Sequence, residues 1–293
     1  MTSMSGRWGA WLRVLVLSVI CLAFAYLMTA LVLLGFRTQD DVRAGGILSG
    51  ASLTNLAHNW QQVSGFVGGI FATWMTNSLI VSLSAAAIAS SSALAAGYAL
   101  ARLRFVGRRS LLFITLLTMV VPNTVLVIPI FLSVASLGLV GKTLPVIVVM
   151  AFYPFGVYLA FIHYSTALPK ELLEAARIDG CSEVGTFWHI ALPISRQPFA
   201  LAFFFAFVAD WTNYFLPLVL LPLSQNTTVP VGLQQMISQS QLYDPTAAAG
   251  LDVQLYLPQL GLAATVQMVP VLIVFVAVQR YLVRGVTVGA VKA

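Results

Sequence analysis

The sequence predicts an all-α membrane protein of six spanning helices, on three observations: scarce charge, a series of long apolar runs, and an uneven placement of lysine and arginine. Of 293 residues, 59% are hydrophobic and 8% charged, with a mean hydropathy of +0.93. A soluble domain carries about a quarter charged residues because its surface faces water, so this chain must take lipid as its solvent. In hydrocarbon only a helix satisfies its own backbone, and each crossing takes roughly 20 apolar residues. Such runs lie at about 12–36, 75–100, 111–137, 143–166, 198–222 and 260–283. They describe one transmembrane domain over 1–293, with a core at about 70–283, and leave no length for a separate catalytic domain.

In the first run, Arg7 and Arg13 precede an apolar stretch from Val14 to Phe36. A signal-peptide core is about 7–15 residues long, so an uncleaved spanning helix is expected. In the second, every residue from Ser84 to Gly97 is Ser, Ala or Gly except Ile88 and Leu94. Small side chains let helix backbones approach, so this helix should be buried in a bundle. The later runs carry internal prolines, Pro122, Pro129, Pro154, Pro217 and Pro270, which kink helices for packing or beside a cavity. Two connecting segments, 37–74 and 223–259, exceed simple hairpins. The first holds Trp60 and Trp74, residues suited to a membrane interface, and the second is polar, as in Ser224-Gln225-Asn226-Thr227-Thr228.

Charge sets the orientation. With the N-terminus inside, the inner segments hold Arg7, Arg13, Arg102, Arg104, Arg108, Arg109, Lys170, Arg177, Arg196, Arg280, Arg284 and Lys292, against Arg37, Arg43 and Lys142 outside. That bias places both termini in the cytoplasm. It also accounts for the net charge of +6 without nucleic acid, for which no recognition motif is present. Two cysteines, Cys21 and Cys181, and three scattered histidines build neither a disulfide framework nor a metal site.

The most informative segment is the inner loop at 167–197. Pro169 can open a short helix, with Glu171 and Glu174 at its positive end. Leu172, Ala175 and Ala176 are spaced to share a face, and Gly180 suits the turn at a helix end. A second amphipathic stretch with Phe187, Trp188 and Ile190 runs to a stop at Pro193. Such an elbow could lie on the bilayer. Its order is more particular: Glu174-Ala175-Ala176, three residues, Gly180, then Leu192-Pro193. It resembles the EAA loop of ABC importer permeases, and further motifs narrow the resemblance to the carbohydrate, maltose-type branch. These are Trp74-Met75-Thr76-Asn77-Ser78-Leu79, the stretch Gly97–Arg108, the prolines Pro122 and Pro129, and the C-terminal Gly289-Ala290-Val291-Lys292.

The resemblance implies a type I ABC importer permease-like bundle in the bacterial cytoplasmic (inner) membrane. The partners it implies are a second permease subunit, an ATPase subunit dimer and an extracytoplasmic sugar-binding protein. Glu171, Glu174, Ala175, Ala176, Asp179 and Gly180 would form the elbow that docks on the ATPase. No cofactor is expected on this chain; ATP and magnesium would sit on the partner. Gly141-Lys142-Thr143 resembles the end of a phosphate loop, but the glycine required five positions before Gly141 is Ser136. The chain is therefore not expected to be an enzyme.

In the fifth run, Asp210-Trp211-Thr212-Asn213-Tyr214-Phe215 departs from the family's Trp-Asn-acid-aromatic pattern by a threonine between Trp and Asn and by an acid upstream. Asp210 is the one acid within an expected span, about halfway along it. A charge at that depth costs about 3 kcal/mol or more, so it should face a cavity or a partner. It could accept hydrogen bonds from sugar hydroxyls, balance a cationic cargo, or pair with a neighbouring helix. Trp211, Asn213, Tyr214, Asn123 and Gln267 are candidates for the same path, although aromatics near Phe203, Phe204, Phe205 and Phe207 also serve packing. A secondary transporter driven by an ion gradient is the alternative class; the sequence shows no convincing repeat and one intramembrane acid to couple ions.

Overall fold

The computed structural model describes residues 4–46, 49–222, 225–243 and 255–290, with side chains placed from residue 11 to residue 282 of these. It is helical, without strands among the described residues. The helices are α1 (Met4–Leu34), α2 (Gln39–Ala44), α3 (Leu53–Gly65), α4 (Ile70–Arg102), α5 (Arg108–Val120), α6 (Asn123–Ser136), α7 (Thr143–Met150) and α8 (Pro154–Thr166). They continue as α9 (Lys170–Ile178), α10 (Glu183–Thr186), α11 (Leu192–Ile194), α12 (Arg196–Trp211), α13 (Phe215–Leu220), α14 (Val229–Ser238) and α15 (Leu257–Ala290).

The chain divides into two compact units, residues 1–72 with 233–268, and residues 73–232 with 269–293. In the first, α1 shows Trp11, Leu12, Leu15, Leu22 and Phe24 largely to the outside, a surface suited to lipid. The end of α1 meets the start of α15 at two glycines, where a Cβ on Gly35 would lie 3.0 Å from Leu262 and one on Gly261 2.9 Å from Leu34. Beside this crossing Asn59 is buried. Its amide donates to the carbonyls of Gly35 and Arg37, each at 2.9 Å, and its Oδ1 accepts from Gln259 at 2.8 Å. Arg37 is buried too, its guanidinium donating to the carbonyl of Ser49 at 2.9 Å and to that of Asp41. The segment expected as an outer connection is thus helical over much of its length, with α3 running through a tight turn at 66–69 into α4.

In the second unit α4 is the shared wall of three cores. Val81 and Ala85 pack with Val134, Val146, Met150 and Leu220; Ala86 and Ala89 with Ala206, Phe207 and Trp211; Leu94 and Tyr98 with Ala160, Tyr164 and Leu173. The small-residue run is therefore buried on one side, while Ile80, Leu83 and Ile88 remain exposed on the other. Ala93 and Gly97 of α4 cross Gly156 and Ala160 of α8, a small-x-x-x-small pair on each helix. A Cβ on Gly97 would sit 2.4 Å from Ala160 Cβ and 2.8 Å from the Phe161 amide. Lipid offers helices no hydrophobic reason to associate, so close backbone approach supplies the attraction instead.

Three expected features are revised. The run at 111–137 is two helices, α5 and α6, bent by 103° at Val121-Pro122. Pro122 has no N–H to give and pushes Val121 into an extended conformation, so the helix stops and restarts. The run at 198–222 also breaks, after Trp211, which places Asp210 in the last turn of α12 rather than mid-helix. Asn213 Oδ1 accepts from the Leu216 amide at 3.2 Å and starts α13. Trp74 is not an interfacial residue. It is 1% exposed, with its ring where a Cβ on Gly232 would stand, 2.2 Å away.

Candidate functional site

The segment at 167–197 forms the expected elbow. Pro169 lies at the N-cap of α9, Glu171 occupies its first turn, and Gly180 turns the chain at φ +78°. A side chain there would meet the Cβ clash that costs L-residues about 1–2 kcal/mol in the left-handed region. The Cys181 amide reaches back to the Ala176 carbonyl at 2.9 Å, closing the helix end. Ser182 caps α10 through the Gly185 amide, and Arg177 holds Glu183 in an ion pair at 2.9 Å, bracing the two arms. The π-helical turn Phe187–Ala191 carries the chain into α11, and the arm ends at Ser195, two residues beyond Pro193.

The elbow is fastened to the membrane helices from beneath. Leu173 is buried against Tyr98, Tyr164, Leu168 and Ala191. Tyr98 meets Tyr164 edge to face at 5.4 Å and Phe187 at 5.3 Å, and the Arg102 guanidinium donates to the Leu168 carbonyl. The alanine pair divides: Ala176 is buried under the helix, whereas Ala175 faces outward with Leu172 and Ile178. At 100° per residue Ala176 lies about 60° from buried Leu173 and Ala175 about 160°, so the edge of the buried face falls between the two alanines and they do not share one surface with Leu172 as expected. Ile178 is 86% exposed, and Val184 and Trp188 are also open, so an apolar ledge crowns the elbow. Glu171 and Asp179 are exposed at its two ends. Glu174 points to a different side, into a cleft it shares with Arg102, Arg104, Arg108, Lys170 and Arg177.

A second site lies at the break after α12. A cavity of about 170 Å³ is lined by Asn123 and Thr124 of α6, Tyr153 before α8, Asp210, Asn213 and apolar side chains. Asp210 Oδ2 is buried there with no hydrogen-bond partner among the described residues. Asn123, Asp210 and Asn213 are thus brought together as the sequence suggested, and Tyr153 and Thr124 join them. The other candidates lie elsewhere. Trp211 is buried and stacked on Phe207 at 5.6 Å, Tyr214 packs edge-on to Phe215, and Gln267, half-buried on α15, belongs to the first unit.

The Asn77-Ser78 pair has a structural use. Asn77 Nδ2 donates to the carbonyls of Gln225 at 2.6 Å and Thr227 at 3.1 Å, and Ser78 Oγ accepts from the Val229 amide at 2.8 Å. Asn226 in turn donates to the Gly141 carbonyl at 2.9 Å, and the Gly141 amide to that of Leu220 at 2.7 Å. Gly141-Lys142 is therefore a turn between two helices, stitched to its neighbours, and not a phosphate cradle. Ser224 of the same stretch, and Val291 and Lys292 of the C-terminal motif, lie outside the described residues.

The family described as binding-protein-dependent transport system inner membrane component matches residues 93–288, from the small-residue stretch of α4 through the elbow to α15. The chain belongs to this family. This inner-membrane component is 29% identical over 289 residues to the arabinooligosaccharides transport system permease protein of Halalkalibacterium halodurans, covering 97% of this chain and 96% of that one. It is 32% identical to the diacetylchitobiose uptake system permease protein of Streptomyces coelicolor, covering 76% of each. Its fold matches a crystal structure of a bacterial ABC transporter involved in import of the acidic polysaccharide alginate. The TM-score is 0.78 at 22% identity, over 96% of this chain and 99% of the other.

Proposed function

We propose that this chain is one of two membrane-spanning permease subunits of an ATP-driven sugar importer, and that its elbow transmits the work of a separate ATP-hydrolysing subunit. The apolar ledge carries the reading. Leu172, Ile178, Val184 and Trp188 stand exposed on an element whose opposite side is locked by Leu173 and Phe187 onto Tyr98 and Tyr164. An apolar surface on a braced element is what a docking partner needs, because a push on it reaches α4 and α8 without being absorbed in the joint. In this reading the elbow and both termini face the cytoplasm, ATP and magnesium belong to the partner, and a second permease completes the path. Sugar as cargo rests on the oligosaccharides in the relatives' names, and the Asp210 cavity is the candidate cargo contact on this subunit.

The test is reconstitution of the assembled importer with Ile178→Asp and Trp188→Asp. Both should lose ATPase co-purification and at least about tenfold in ATP-dependent uptake, the order of one buried hot-spot contact. Membrane insertion should be unchanged. Full uptake in both variants would overturn the docking claim. Uptake that runs on a proton or sodium gradient without ATP would instead make the chain a secondary transporter.

A further inference from the structure

We propose that the cleft between residues 103–107 and the inner side of α9 binds the phosphate headgroup of an anionic phospholipid. It depends on the elbow lying at a membrane surface, and not on what the ledge docks against. The helices α4 and α5 are both apolar and are joined by five residues, a short hairpin whose place in this proposal is the inner membrane surface. Arg102, Arg104, Arg108 and Arg109 crowd this hairpin, and no acid occurs between Ala99 and Ser110. Beside them Phe105 is half open and Val106 fully exposed, an apolar tip next to a basic collar. That pairing suits the depth at which acyl chains give way to headgroups.

The collar is one wall of a built cleft of about 1050 Å³, and Lys170, Glu174 and Arg177 of α9, with Glu183, supply the other. Five cations face two carboxylates there, and Glu183 already pairs with Arg177. Arg102 and Arg108 donate to carbonyls of Leu168, Ala101 and Leu103, which orients them without cancelling their charge. Arg102 Nε finds no acceptor, and Arg104 and Lys170 have no hydrogen bond or ion pair among the described residues. A phosphodiester offers several acceptor oxygens on one centre, so it can take donors from both walls at once. Leu103, Phe105 and Leu173 line the same cleft and would lie along the glycerol and upper acyl chain. The ledge of Ala175 and Ile178 is centred roughly 120° around α9 from the cleft residues at about 100° per residue, so lipid and docking partner need not compete. A headgroup held here would tie the hairpin to α9 and make the set of the elbow depend on anionic lipid.

Lipid retention by the purified full-length chain, read by native mass spectrometry, tests this with phosphatidylglycerol and phosphatidylcholine as probes. The wild type should retain phosphatidylglycerol preferentially, and Arg104→Gln with Lys170→Gln should cut that retention about thirtyfold, given the typical worth of each basic residue near an anionic surface. Arg109→Gln removes one charge from the collar and none from the cleft, and should leave retention near wild type. The charge-conserving pair Arg104→Lys with Lys170→Arg should restore most of it. Equal loss per charge removed in Arg109→Gln would overturn the site in favour of diffuse surface attraction, as would equal retention of the two lipids. Displacement by soluble glycerol phosphate at matched concentration would show a free-anion site and overturn the lipid assignment.

Discussion

Asp210 shows how much one side chain asks of its surroundings. A carboxylate with a buried, unpartnered oxygen at membrane depth costs about 3 kcal/mol on insertion scales, so it persists only beside a group that repays it for part of the cycle. The nearby polar side chains, Asn123, Thr124, Tyr153 and Asn213, suit hydroxyl-rich cargo. We expect Asp210→Asn, which keeps the shape and removes the charge, to lower cargo-stimulated ATP hydrolysis by about tenfold, the order of one charge-assisted hydrogen bond. The complex should stay assembled. Dissociation in both Asp210→Asn and Asp210→Ala would assign the carboxylate to a neighbouring subunit instead. Sequence could single out Asp210 because an acid among phenylalanines violates the pattern of a span. It could not find Tyr153, which lies far along the chain and reaches the cavity only because α7 and α8 are interrupted at 151–153.

At the scale of elements, composition and punctuation decided what was legible. Apolar length located four spans and the bent run at 111–137, since lipid enforces a helix wherever such a run occurs, but it carried the fifth run past the break after Trp211. Pro169 and Gly180 marked the ends of α9 because each removes an alternative, one an N–H and the other a Cβ. What a proline signals is a break, not its angle, so the 103° bend at Val121-Pro122 had to come from packing. The division of Ala175 from Ala176 was hidden too, because a nine-residue helix has two apolar faces and the sequence does not say which one meets Tyr98. The crossing of α4 and α8 gives a direct check. Gly97→Val should cost about 3 kcal/mol or more by overpacking, since the Cβ has backbone rather than a flexible side chain before it. Reversible unfolding in detergent micelles would read this as a lowered midpoint, with Gly97→Ala intermediate; unchanged stability in Gly97→Val would show the helices free to separate.

Over the whole molecule, the charge bias of the loops remains the argument for orientation, and native Cys181 provides its test. In a Cys21→Ser background, an impermeant maleimide should label Cys181 from the cytoplasmic side alone and an added Gln61→Cys from the opposite side. Labelling of both from one side would refute the proposed topology. The long-range stitching was beyond reading from sequence, since Asn77 finds its carbonyls 148 and 150 residues away. The seat of Trp74 over Gly232 extends this into inheritance. Neither position is free to drift alone, because any larger residue at 232 requires the indole to go first, and a smaller residue at 74 leaves a void that only a larger 232 refills. Among descendants of this chain the two should therefore change as a pair, and a lineage that has lost the tryptophan should have lost the glycine with it.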